Sequence, residues 1–219
     1  MNTKVNDAVD RLNSILPLAE SQQSLSNELV DVYHNILRSY VERGRTLNRD
    51  EIAEQVGDVD ESVRLLREKD MVVFDDNGEP VGAYPFTMEQ REHEVTVNGN
   101  KVHCMCALDA LAVSPMFDLD TSIQSQCRVS GQPVRIHQHG REIVDADDNR
   151  DVFFGISWNA ASNSCCATSL CTEMIFLKGA QTASEWQAED SGNREIFDLQ
   201  EAVDFSAGFF TPLIAGRVR

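Results

Sequence analysis

The chain changes its apolar period at Pro85. Before that point apolar residues recur every three or four positions; after it they fall in short runs separated by turn residues. A chain of 219 residues patterned in this way has to combine helices with a sheet. It is long enough for one large domain or two small ones with a real core. Within 25–44, Leu29, Val32, Tyr33, Ile36, Leu37, Tyr40 and Val41 share one helical face, and Gly44 supplies the stop. Asn48 caps a second helix, 49–56, ended by Gly57, and Asp60 caps a third, 61–69. Residues 71–74 and 81–86 read as strands joined by the turn Asp75-Asp76-Asn77-Gly78. Helix, short helix, helix and hairpin follow one another as in a winged helix, which predicts a winged-helix-like, mainly helical N-terminal domain over 1–84.

The remainder, 85–219, reads as a mixed α/β domain, so the fold class is α+β. Short strands are expected at 94–97 and 101–105 around Asn98-Gly99-Asn100. A brief apolar helix follows at 107–112, ended before Pro115. Further strands are expected at 123–129, 134–137, 152–156 and 169–177. A short amphipathic helix, 182–189, carries Trp186.

Charge narrows the function. The net charge is −17, which repels nucleic acid and anionic lipid at long range. Residues 1–84 hold nine Lys/Arg and seventeen Asp/Glu, a net of −8. The stretch from Asp58 to Met71, where a groove-reading helix would lie, has five acids against three bases. DNA recognition needs the opposite balance. No apolar run approaches the ~20 residues of a membrane span, and the N-terminus shows no basic start followed by an apolar stretch. The expectation is a cytoplasmic protein that binds neither nucleic acid nor membrane.

Six cysteines, Cys104, Cys106, Cys127, Cys165, Cys166 and Cys171, all lie after Pro85. In a cytoplasmic chain they are thiols by default, and an isolated thiol is usually a small buried hydrophobe. Five of them fall in two tight groups, which points to soft-metal or thiol chemistry. Their spacings do not match the paired Cys-x-x-Cys of zinc sites. If a helix starts near Cys106, then Cys106 and Asp109 share a face at i and i+3. A helix N-terminus lowers a thiol's pKa. Burial among Ala107, Leu108, Ala110 and Leu111 raises that of Asp109, so the carboxyl can exchange a proton with the thiol near neutrality.

Cys106-Ala107-Leu108-Asp109, Ser125-Gln126-Cys127 and Gly131-Gln132-Pro133-Val134 resemble the organomercurial (alkylmercury) lyase family. Gly82-Ala83-Tyr84-Pro85-Phe86-Thr87 upstream and Ala183-Ser184-Glu185-Trp186 downstream resemble it too, so that the likeness runs from about residue 48 to 190. The resemblance implies a winged-helix-like domain followed by an α+β catalytic domain, and a catalytic set of two cysteines and an aspartate. Cys106 and Asp109 match the first cysteine and the aspartate. The family's late cysteine lies fifteen residues before the tryptophan, which selects Cys171 ahead of Trp186 over Cys165 or Cys166. Cys127 matches a structural cysteine. Cys104 is a departure from the family pattern, and Met105 stands where an aromatic is common.

The implied activity is protonolysis of carbon–mercury bonds in mercury detoxification, with Cys106, Cys171 and Asp109 as both catalytic and mercury-binding residues. The implied partners are an organomercurial small molecule and low-molecular-weight thiols or a mercuric reductase that remove the Hg(II) product. No organic cofactor is implied. The competing expectation is a soft-metal-binding protein, or a metal-responsive winged-helix regulator, without lyase activity.

Overall fold

A computed structural model describes residues 2–160 and 169–215. The first helix, α1 (Thr3–Ile15), is capped by the Asn2 side chain and buries Val5, Ala8 and Leu12. A short α2 (Leu18–Gln23) leads to α3 (Asn27–Arg43). Ser26 caps the start of α3, and Gly44 ends it at φ 71°, a backbone state that glycine adopts without strain. Asn48 and Glu51 form a reciprocal capping box on α4 (Arg49–Ala53). The next helix, α5 (Val59–Glu68), is capped by Asp58 rather than Asp60. Asp60 lies inside its first turn and pairs with Arg49.

The hairpin β1 (Val72–Phe74) and β2 (Pro80–Ala83) continues through β3 (Phe86–Thr87) into β4 (His93–Val97) and β5 (Asn100–Cys104). Asn98 and Gly99 turn the β4–β5 hairpin with positive φ at both positions. Helix α6 (Ala107–Phe117) separates these strands from β6 (Asp120–Gln126), β7 (Pro133–His139) and β8 (Glu142–Ile143). The strands form one antiparallel eight-stranded sheet in the order β1-β2-β3-β5-β4-β6-β7-β8. A second sheet has β9 (Val152–Ser157) at its centre, flanked by β10 (Met174–Lys178) and β11 (Arg194–Asp198). Helix α7 (Ala180–Ala188) connects β10 to β11, and α8 (Leu199–Phe210) follows. The architecture is mixed α+β, with antiparallel sheets. No helix among the described residues is long and apolar enough to cross a membrane.

The helix α6 is apolar on nearly every face and almost wholly buried, as a helix enclosed on all sides must be. It packs on β4, β5 and β6 of the large sheet, on β10 of the small one, and on α8. Its N-terminus is thereby fixed beside the start of β10. A single buried cluster runs from Val5 to Leu213. Tyr40 of α3 stacks on Phe86 of β3 at 4.7 Å, and Asn100 donates to the Val41 carbonyl.

The expected strand 81–86 is split, β2 ending at Ala83 and β3 starting at Phe86, and three further sequence expectations change here. Helix α6 does not stop before Pro115 but runs through it to Phe117. Proline has no N–H for the Leu111 carbonyl, and Gln138 Nε2 takes that carbonyl instead at 3.0 Å. Residues 169–177 are not one strand, because a 3₁₀ turn, Leu170–Glu173, precedes β10. The strand expected to reach 129 ends at Gln126, so Cys127 opens the loop into β7, where Gly131 has φ 70°.

Candidate active site

Cys106 is the N-cap of α6, with extended backbone, and its sulfur accepts the Asp109 N–H at 3.4 Å. Its carbonyl accepts from Ala110 as the first helical hydrogen bond. Asp109 lies one turn on, on the same face. Cys171 arrives from the other sheet on the 3₁₀ turn before β10. The structure brings these three side chains together, with one donor atom of each within 4.8 Å of the others. All are buried: Cys106 and Asp109 are 1% exposed and Cys171 is 4% exposed. Cys165 and Cys166 lie outside the described residues.

The protons follow from burial. Desolvation pushes the Asp109 carboxyl up to about 7, against the pull of the Cys106 thiol and the Arg91 guanidinium. Its Oδ2 has no hydrogen-bond partner among the described residues. Burial also pushes the Cys106 thiol up to about 12; a hydrogen bond from Cys171 opposes this and the Asp109 carboxylate adds to it. The lowered thiol expected from a helix N-terminus is therefore reversed, since one N–H and a helix dipole do not offset full desolvation beside a carboxylate. Without substrate the Cys106 thiol keeps its proton, and the carboxyl sits near half-protonation at neutral pH.

A cavity of about 280 Å³ opens onto the cluster, lined by Arg91, Glu92, His93, Met105, Arg128 and Cys171 among others. Cys171 faces this cavity, whereas neither Cys106 nor Asp109 lines it. Arg128 braces the rim, pairing with Glu92 and donating to the Thr172 carbonyl next to Cys171 at 3.3 Å. His93 is buried and held neutral by desolvation, with Glu92 pulling the other way. Its Nδ1 lies 2.9 Å from the Ser125 hydroxyl and its Nε2 3.3 Å from Glu92. The hydrogen bond from His93, with Arg128 assisting, holds Glu92 down at about 2.

The family model for alkylmercury lyase matches residues 86–211, more than half of the chain. The chain belongs to the alkylmercury lyase family. An alkylmercury lyase of Bacillus cereus is 23% identical over 205 residues, covering 93% of this chain and 90% of the relative. That of Pseudomonas putida is 21% identical over 178 residues, with 80% and 82% covered. The crystal structure of the mercury-bound form of MerB2 has the same fold, with TM-score 0.73, 20% identity, and 91% of this chain and 98% of that one covered.

Within this alkylmercury lyase family fold the other cysteines separate cleanly. Cys104 ends β5, fully buried, and desolvation raises its thiol, with Asp109 and Cys106 adding to the effect. Cys127 packs with Ile175, Leu177, Ala183 and Trp186, away from the Cys106 cluster. Two site residues were invisible in the sequence. Arg91, whose charge reaches Asp109, carries no motif. Met174 has its sulfur 3.6 Å from Cys106 Sγ, and its only signal is a position three residues after Cys171, which means proximity on a turn and not on the strand expected there.

Proposed function

We propose that this chain is an organomercurial lyase in which Cys106 and Cys171 take the mercury and Asp109 moves the proton. The observation that carries the reading is the meeting of two buried thiols and a carboxyl poised near neutrality, with atoms of all three within 4.8 Å. Thiolate is the soft ligand that mercury prefers. The substrate R–Hg–X meets Cys171 at the cavity, and one thiol displaces X, which leaves as HX. The second thiol gives its proton to Asp109 and its sulfur to mercury. Two thiolates push electron density through the metal onto the bound carbon. Asp109 then protonates that carbon, and R–H leaves with Hg(II) held between Cys106 and Cys171 and Asp109 again ionised. Asp109 Oδ2, without a hydrogen-bond partner among the described residues, would serve as a weak oxygen ligand or as the atom that carries the proton.

External thiols or a mercuric reductase would then remove Hg(II), and the reaction needs no organic cofactor. The reading extends to a cytoplasmic detoxification enzyme with a winged-helix-like segment over 1–84 and a catalytic domain over 85–219. The order α3, α4, α5, β1, β2 supports the first of these, and the charge of −8 argues that the scaffold is not used on DNA.

The test is benzene release from phenylmercury by the purified protein with excess thiol, beside Cys106→Ser and Cys171→Ser. Release by the parent and its loss in both variants is the expected result. Tight binding of phenylmercury without release would replace the lyase by a soft-metal-binding protein. Full activity of Cys171→Ser would return the second thiol to Cys165 or Cys166.

A further inference from the structure

The 3₁₀ turn that carries Cys171 carries a second sulfur. Met174 closes that turn, its N–H donating to the Cys171 carbonyl, and begins β10. Its side chain is 2% exposed, and its sulfur lies 3.6 Å from Cys106 Sγ, as a second acceptor beside Asp109 within reach of the thiol proton. Leucine would fill a similar volume without offering a lone pair. When mercury replaces the Cys106 proton, this acceptor faces the atom that has taken the proton's place.

We propose that Met174 is a third soft ligand of mercury, a thioether that joins the two thiolates once Hg(II) or R–Hg⁺ is bound. The proposal rests on the lyase reading and specifies its metal site further. The Cys106 S–H bond breaks, a Cys106 S–Hg bond forms, and the proton goes to Asp109 or leaves with X. Met174 contributes an electron pair only, and nothing is oxidised or reduced. A neutral third donor shields bound Hg(II) without changing the charge of a buried site, and it slows the handover to a competing thiol. Met105 is the internal comparison. It also flanks Cys106 in the chain, but its terminal methyl reaches back to within 2.7 Å of where a Gly82 Cβ would stand, and the side chain lines the cavity.

The experiment loads Hg(II) alone onto the full chain and onto Met174→Leu, then records mercury-edge X-ray absorption and the rate of transfer to glutathione. The parent is expected to show two short sulfur distances and one longer one. Met174→Leu should lose the long distance and release Hg(II) roughly tenfold faster. Should that variant not fold, selenomethionine-labelled parent and Met105→Leu proteins read the same contact at the selenium edge, and both should keep a mercury neighbour. Identical spectra and transfer rates in the parent and Met174→Leu overturn the proposal and leave the lyase reading standing, as does a selenium edge without mercury. A parent that does not bind Hg(II) between its thiols overturns both. A third sulfur in a protein that releases no benzene upholds Met174 and sinks the lyase reading alone.

Discussion

Cys106 and Cys127 begin from the same local geometry and end with opposite proton affinities. Each is 1% exposed, and each sulfur accepts the N–H of the residue three positions on at 3.4 Å. Burial pushes the Cys106 thiol up to about 12, and the neighbouring Asp109 carboxylate works in the same direction. Burial also pushes Cys127 up, but there the Ser130 hydroxyl and the N–H groups of Ser130, Lys178 and Val129 converge on sulfur and bring it below the usual thiol range. A backbone N–H at a thiol does not by itself make a thiolate. The sign is set by how far desolvation is offset: at Cys106 the deeper enclosure and the carboxylate outweigh the donors, and at Cys127 the converging donors outweigh burial. At Cys106 the outcome suits the proposed chemistry, because a retained proton is there to be handed to Asp109.

Asp109→Asn breaks the comparison most strongly. The amide has nearly the same shape but can neither accept nor deliver the proton, so benzene release should fall by roughly 10²–10⁴-fold. With the carboxylate gone, the Cys106 thiol should titrate lower than in the parent. In the parent, kcat/KM should rise with pH through about 7, as Asp109 ionises and becomes able to take a thiol proton. A profile flat across that range would remove Asp109 from the proton path.

The same substitution tests stability with a definite sign. The folded carboxyl is raised from 3.8 to about 7, so between those values the native state binds more protons than the unfolded one. Parent stability therefore falls as pH rises through this window. Three pKa units set a ceiling of about 4 kcal/mol on the loss. Asp109→Asn should melt higher than the parent above pH 7, and the gap should close below about pH 4.

Next in size is Gly155→Ala, which perturbs the Cys127 side. A Cβ on Gly155 would lie 2.9 Å from the Trp186 ring and 3.0 Å from Leu177, both members of the Cys127 cluster. An indole ring packed in a core has little room to retreat, so the variant should lose about 1–3 kcal/mol in denaturant unfolding. Benzene release per folded molecule should be nearly unchanged, because the strain falls in the cluster apart from Cys106.

How far the sequence reaches is clearest from individual residues. The stop at Gly44 and the cap at Asn48 were readable because each acts within a few positions of itself. Pro115 misled because its missing donor is replaced by Gln138, which is distant in sequence. The helices α1 and α8 went unread: Val5, Ala8 and Leu12 do recur at helical spacing, but among many polar residues, and much of their support comes from packing against each other. At the site, i and i+3 spacing placed Asp109 over Cys106, and the interval to Trp186 singled out the cysteine that the fold carries to them. The height of the Cys106 pKa was not readable, because it depends on enclosure by two sheets and α8. Nor was Met174, whose approach to Cys106 exists only once residues 170–173 turn as a 3₁₀ helix.

Ser130→Ala is the smallest and sharpest change. It removes the hydroxyl donor to Cys127 and leaves the N–H groups of Ser130, Lys178 and Val129 in place. If converging donors are what hold the sulfur down, its pKa should rise when this hydrogen bond to the charged form is lost. The Cβ chemical shift of Cys127, followed against pH in cysteine-labelled protein, reads this directly, and the Cys106 resonance in the same spectra is the control. A rise at Cys127 with no movement at Cys106 would separate the two thiols by their neighbours alone. An unmoved Cys127 would mean that the backbone N–H groups suffice, and the contrast with Cys106 would then rest on the deeper desolvation of Cys106 and the carboxylate of Asp109.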